Sequence, residues 1–221
     1  MSDTRLEKIY LEAGRLFNTK GYINTKVSEI AAAAGVATGT MYNLFSGKEA
    51  VLSFVIQATL DREWLGQEIG LPMRQSDLGV LQKSLQKVLE EIDTSIMVIK
   101  DEEGNLCKDF QALISEIFDM CADYLVAFNN IETNAGVLEE LWQEFYPART
   151  RFYKKLEEFL VCYMQAGQIR KLDYLPLHVN NMIETIAWWS VNSHMQMPEI
   201  TMSRAAAKEN CVSILVRAYC V

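Results

Sequence analysis

Apolar residues recur along this chain with the period of a helix almost from end to end. Between Asp3 and Thr19, Leu6, Ile9, Ala13, Leu16 and Phe17 fall on one stripe, the spacing of an amphipathic helix. Gly21 ends that pattern. Val27, Ile30, Ala31 and Ala34 repeat it until Gly35 stops it, and Thr25 stands where its hydroxyl can cap the free amides ahead. Met41, Leu44 and Phe45 follow so closely that two short helices must turn sharply against each other, the arrangement of a helix-turn-helix.

Ser46-Gly47 interrupts the pattern, and Lys48 opens a longer helix through Val51, Leu52, Val55, Ile56 and Leu60 towards Trp64. Gly66, Gly70 and Pro72 mark its end. Ser76 or Asp77 can cap a helix that reaches about Ile99, with Leu78, Leu81, Leu85, Val88, Leu89, Ile92 and Ile96 on its buried side. After a polar turn from Asp101 to Asn105, the next helix carries Phe110, Leu113, Ile114, Ile117, Phe118, Cys121, Leu125 and Phe128 and ends near Asn129-Asn130. Asn134 can cap the following run, Val137, Leu138, Leu141, Trp142 and Phe145, which meets Pro147 as a kink or boundary. Phe152, Leu156, Phe159, Leu160, Tyr163 and Met164 lead to Gly167, placed as a C-cap. Two last helices read from about Pro176 to Met197 and from about Ser203 to Tyr219.

Composition agrees with an all-α fold. Only four prolines and eleven glycines interrupt 221 residues, half of which are hydrophobic, enough for a substantial core. The start MSDTRLEKIY lacks the features of a secretion leader and no run reaches the ~18 apolar residues of a membrane span, so a cytoplasmic protein is expected. Taken as an average, the net charge of −8 argues against nucleic acid, but it is unevenly spread. Residues 1–50 carry six basic groups (Arg5, Lys8, Arg15, Lys20, Lys26, Lys48) against five acidic ones (Asp3, Glu7, Glu12, Glu29, Glu49), whereas the remainder carries fifteen against twenty-four. The N-terminal end is the one that phosphates would tolerate.

The ordered series Ile9, Ala13, Leu16-Phe17, Gly21-Tyr22, Thr25, Val27, Ile30-Ala31, Ala34-Gly35-Val36, Gly39-Thr40-Met41-Tyr42, Phe45 and Lys48-Glu49 closely resembles the DNA-binding head of the tetracycline-repressor (TetR) family. The likeness covers roughly residues 5–52, about a quarter of the chain. It implies a three-helix helix-turn-helix head, residues 1–47, and a helical ligand-binding and dimerisation body, residues 48–221. Function would then be transcriptional regulation, with repression the family default and activation left open. In that reading Thr25, Lys26, Thr38, Gly39, Thr40, Tyr42, Asn43 and Lys48 meet DNA. Gly39 lets the backbone come close, and Tyr42 and Lys48 reach phosphates. Thr38, Thr40 and Asn43 face base edges, the Asn43 amide being suited to adenine.

Two positions depart from the family. Ala37 stands where a capping Ser or Thr is common, and Thr38 where a basic residue is common; Thr38 can take over the cap one residue later. With so few cations, about four phosphates per dimer would be neutralised, for a salt slope of roughly −4.

Aromatic and methionine side chains are frequent behind residue 100, and core packing accounts for most of them. The resemblance implies an inducer pocket for a small apolar or amphipathic molecule, for which Phe118, Trp142, Phe145, Trp188 and Trp189 are the candidates. Glu116, Asp119, Asp123, Glu184 and Asn192 flank those faces and could orient a ligand if turned inward. In the family the last two helices meet a twofold mate, and small residues such as Ala187, Ser190 and Ala206 would allow close approach in a homodimer. His178 and His194 have no partner at metal-ligand spacing, and the five cysteines have no Cys-x-x-Cys pair, so no metal or cofactor is expected and most thiols are read as buried, one redox sensor being the alternative. No nucleophile-elbow, Walker or His-Glu-x-x-His pattern points to an enzyme. The rival readings are a helical lipid- or protein-binding module that keeps the head without operator binding, and an enzyme that uses a body cavity.

Overall fold

The computed structural model describes residues 4–66, 70–192 and 202–221. Among these the regular structure is helical, with isolated β-bridges and no strand. In chain order the helices are α1 Thr4–Asn24, α2 Val27–Ala34, α3 Thr38–Leu44, α4 Lys48–Leu60, α5 Leu78–Ser95, α6 Phe110–Thr133, α7 Glu139–Gln165, α8 Leu175–Ala187 and α9 Arg204–Tyr219. The all-α class expected from the periodicity is therefore what is observed.

Several boundaries differ from the periodic reading, each for a local reason. Gly21 breaks the helical geometry of α1 (φ 76, ψ 158), but helical pairing resumes as far as Asn24. α4 stops at Leu60 instead of reaching Trp64. Asp61 is extended there, and its carboxylate accepts the Trp64 amide (3.2 Å), bending residues 62–66 into a 3-10 turn. α5 ends at Ser95, short of Ile99. α6 runs past Asn129-Asn130 because the Asn130 side chain folds inward rather than ending the helix. Pro147 is no boundary: α7 continues through it. After α8 the chain takes a π-turn over Trp188–Asn192, and the expected continuation to Met197 lies outside the described residues. Gly167 does close α7, in the left-handed region (φ 70), with the Gln168 amide reaching back to Tyr163 O (3.0 Å). Ser203 caps α9 by accepting the Ala206 amide (3.2 Å).

The chain divides into two compact units, Met1–Val88 with Val126–Phe145, and Leu89–Leu125 with Tyr146–Val221, so that α5, α6 and α7 are each shared. In the first unit α4 is largely apolar and every residue from Ala50 to Leu60 is buried, the pattern of a core helix. Phe54 sits at its centre, against Tyr10, Phe45 and Trp64 at ring distances of 6.4, 5.2 and 6.0 Å; burial of one such ring is worth about 1.5–3 kcal/mol. Gly14 lets α1 approach α6, since a Cβ there would lie 3.1 Å from Val126 Cγ1.

The second unit is built around Phe110, whose ring meets those of Tyr163 (5.7 Å) and Tyr219 (5.9 Å). On its surface Arg204 bonds Asp123 (2.6 Å) and Asp119 (3.2 Å), and Lys208 also bonds Asp119, tying α9 to α6. Cys121 and Cys211 are both buried, and burial pushes their thiols up to about 12 and about 11. Since the thiolate is the reactive form, neither can act as a ready sensor near neutral pH. With an aromatic disulfide reagent at pH 8, mass spectrometry should find the exposed Cys107 modified first, and Cys121 and Cys211 only on unfolding. Prompt labelling of Cys121 in the native protein would contradict this packing.

Candidate nucleic-acid interface

α2 and α3 are held at their angle by Gly35 (φ 68), where the Gly35 amide bonds Ala32 O (3.2 Å) and the Val36 amide bonds Ala31 O (2.9 Å). Ile30, Ala31 and Ala34 of α2, with Met41, Leu44 and Phe45, face the core. The remaining face of α3 is turned out: Thr38, Gly39, Tyr42 and Asn43 are exposed and Thr40 is half-buried, while Lys26 is exposed at the start of α2. Nothing lies within 4 Å of a Cβ built on Gly39. The protein itself therefore has no steric need for glycine at that position.

Three expectations about this region need correction. Thr25 does not cap α2. Its side chain is buried and its hydroxyl donates to Gly21 O (2.8 Å) and Leu16 O (3.3 Å), so it secures the end of α1 and is not presented to DNA. The cap comes from Glu29, whose carboxylate accepts the Lys26 amide (2.9 Å) and pairs with Lys20 (2.9 Å); the Lys26 amide bond, then Lys20, hold that carboxyl below its ordinary range. Nor does Thr38 cap α3. Ala37 is the N-cap residue, without a side-chain bond, and Thr38 is already helical.

Lys48 is not an open cation. Its ammonium donates to Tyr22 O (2.8 Å), Ile23 O (3.4 Å) and Thr25 O (3.0 Å) and lies 4.2 Å from the centre of the Tyr22 ring. The Tyr22 hydroxyl donates to Glu49 (2.6 Å). Its phenol is raised well above the ordinary tyrosine range by burial and then by that carboxylate, while the Glu49 carboxyl is lowered, chiefly by the same hydrogen bond. The start of α4 is thus locked to the turn between α1 and α2.

That lock extends to residues whose part in it the sequence pattern did not mark. Asn134, expected as a cap for the next helix, instead accepts the Tyr22 amide and donates to Phe17 O (3.3 Å) and Asn130 O (2.9 Å). Asn130 donates to Gly14 O (3.2 Å) and Val126 O (2.8 Å). Both are buried, and they grip the backbone of α1. The available signal is two amides spaced i, i+4, Asn130 on the apolar side of α6 and Asn134 just past its end. A second unmarked partner is Met73, whose amide donates to Leu44 O (2.7 Å) and whose carbonyl accepts the Ser46 amide (2.8 Å).

The residues proposed for an inducer are placed in different units. Trp142 and Phe145 belong to the first, where Phe145 stacks on Phe128 at 4.8 Å; Phe118, fully buried, and the partly exposed Trp188 and Trp189 belong to the second. Two surface cavities of the second unit have other linings. One, of about 280 Å³, is lined by residues such as Val98, Lys155 and Phe159; the other, of about 390 Å³, by Arg170, His178 and Tyr219 among others. Glu116 pairs with Lys108, and Asp119 and Asp123 pair with α9, so none of these three carboxylates is turned inward to await a ligand. Glu184 is exposed, and the Asn192 side chain and His194 lie outside the described residues. His178 bonds the Tyr219 hydroxyl (3.2 Å), and no cluster of metal-ligating side chains occurs among the described residues.

Residues 9–53 match the profile of the tetR family of bacterial regulatory proteins. Over 132 residues, 58% of this chain and 70% of the other, the sequence is 30% identical to an HTH-type transcriptional regulator of Staphylococcus aureus (strain bovine RF122 / ET3-1). Among solved structures, the ketosteroid transcriptional regulator KstR2 of Mycobacterium tuberculosis is similar with a TM-score of 0.53 and 17% identity, covering 100% of this chain and 97% of that one. A transcriptional regulator from Saccharomonospora viridis, solved in complex with choline, is similar with a TM-score of 0.52 and 12% identity, covering 98% and 97%. At these identities the two structures share the fold.

Proposed function

The chain belongs to the tetR family of bacterial regulatory proteins and is a transcriptional regulator, and from that premise we propose that it is a homodimeric repressor released from its operator by a small apolar or amphipathic ligand. Residues 1–47 act as the DNA-binding head and 48–221 as the body that takes the ligand and the second subunit. The observation that carries the operator reading is the outward row Thr38, Gly39, Tyr42 and Asn43 on a helix anchored from behind by Met41, Leu44 and Phe45. Asn43 reads a base and Tyr42, 58% exposed, meets a phosphate. One short helix spans few base pairs. Two related by a twofold axis can enter successive major grooves ~34–36 Å apart, which calls for a palindromic site.

Support for dimerisation through α8 and α9 comes from exposed apolar side chains, Leu177 on α8, Trp188 in the π-turn that follows it and Ile214 on α9. A ligand shifts binding only if it prefers the head spacing that fails on DNA, and a preference of ~1–3 kcal/mol is usual for such coupling. The family is regulatory, and no catalytic role is assigned to any residue. No helix among the described residues is long and apolar enough to cross a membrane.

Selection from random duplexes followed by fluorescence polarisation tests the reading. The full chain should prefer one palindromic sequence. Asn43→Ala should lower affinity roughly 10- to 100-fold and lose discrimination at one base pair of each half-site. Tyr42→Phe, which removes one phosphate bond per subunit, should weaken all sequences alike. Absence of any sequence-preferring binding at low salt would favour a helical lipid- or protein-binding module.

A further inference from the structure

Residues 61–77 link α4 to α5 and lie beyond the part of the chain that matches the family profile. The fold returns the middle of this link to the end of α3. The Met73 amide donates to Leu44 O (2.7 Å), the Ser46 amide donates to Met73 O (2.8 Å), and Phe45 and Met73 form a parallel bridge. A few residues on, the Ser76 amide donates to Ser53 Oγ (3.0 Å) of α4, and Ser53 is itself buried. The segment is therefore pinned on both sides of Arg74.

The bridge also decides which way Arg74 faces. Neighbouring side chains of extended backbone point to opposite sides. Phe45 (1% exposed) and Met73 (3%) both turn into the core, so the next residue of each segment, Ser46 and Arg74, turns outward, and both are exposed. Paired extended backbones lie ~4.8 Å apart, so the guanidinium stem starts beside Ser46, at the edge of the surface that carries Tyr42 and Asn43. The two charged groups that follow Ser46 in sequence are already committed. Lys48 spends its ammonium on the carbonyls of the α1–α2 turn, and the Glu49 carboxylate sits in the first turn of α4, where it disfavours an anion.

We propose that Arg74 is a DNA-phosphate contact, and that residues 70–76 are part of the operator interface. The proposal rests on the operator-binding reading above. A guanidinium suits a phosphate because its planar donors can engage two oxygens at once, and each neutralised phosphate releases about 0.9 counterion. A dimer gains two such contacts, and its salt slope steepens by about 2 beyond what the first fifty residues provide.

Polarisation titrations of the full chain on its selected operator, from low to moderate salt, test this with Arg74→Gln, Arg74→Lys and, as a charge control in the second unit, Lys171→Gln. Arg74→Gln should weaken binding roughly 10- to 30-fold near 0.15 M salt and reduce the slope by about 2, while Arg74→Lys keeps the slope and Lys171→Gln leaves it unchanged. A wild-type slope in Arg74→Gln overturns the proposal whatever happens to affinity, as does an equal change in Lys171→Gln, which would reduce the effect to net charge. Failure of the wild-type chain to prefer any DNA sequence would instead remove the operator reading on which the proposal stands.

Discussion

Gly39→Leu should weaken operator binding about 100-fold in a protein that is at least as stable as its parent. The two halves of this expectation have separate causes. In the free chain a side chain at Gly39 meets open space, and the position lies inside α3, where glycine costs ~1 kcal/mol relative to a good helix former. In the proposed complex the same position is where the helix backbone would come closest to the groove, and a leucine would hold it off in both subunits of the proposed dimer. A penalty of about 1.4 kcal/mol in each is a 100-fold loss for the dimer. Thermal melting and polarisation on the selected operator check the pair, with Gly39→Ala as the milder member of the series. A leucine variant that binds normally would show that α3 does not enter the groove by this face.

Asn134→Ala should cost about 3 kcal/mol of stability, because it strips partners from both the Tyr22 amide and Phe17 O where α1 breaks at Gly21. For a chain of this length that is roughly 6–12 °C in Tm, compared at equal protein concentration because the melting of the proposed dimer would depend on it. Asn130→Ala should cost less. Its Oδ1 is buried without a partner among the described residues, so truncation also removes an unsatisfied acceptor. Operator affinity should fall further for Asn134→Ala than for Asn130→Ala, since Tyr22 carries the bonds to Lys48 and Glu49 that orient the start of α4. Equal melting temperatures for Asn134→Ala and wild type would mean that the amide clamp does not form in solution.

The helix-turn-helix was legible because its determinants are local. Apolar spacing defines α2 and α3, and Gly21 and Gly35 take the positive φ that a side chain would resist. The face of α3 that is free for DNA follows from which residues are apolar, so Tyr42 and Asn43 could be named from the pattern. Helix ends were less legible. Trp64 continues an apolar rhythm that Asp61 cuts off, and Pro147 lacks one amide in a helix whose flanking turns are packed well enough to carry it through.

The partners of polar side chains are not set by apolar spacing. Thr25 has free amides ahead of it in sequence, yet burial turns its hydroxyl back towards Gly21 and Leu16, four and nine residues earlier. Lys48 looked like a phosphate clamp until the carbonyls of residues 22, 23 and 25 were brought beneath it.

From its residues alone this chain settles an all-helical fold and a head whose outward face suits a DNA groove, since periodicity and glycine placement act over a few neighbouring positions. Folding decides what no short window contains: that Asn134 meets an amide 112 residues earlier, and that Met73 returns to the end of α3 and turns Arg74 outward beside it. Such pairings depend on which buried donor finds which acceptor once the cores have closed, and apolar spacing leaves that choice open.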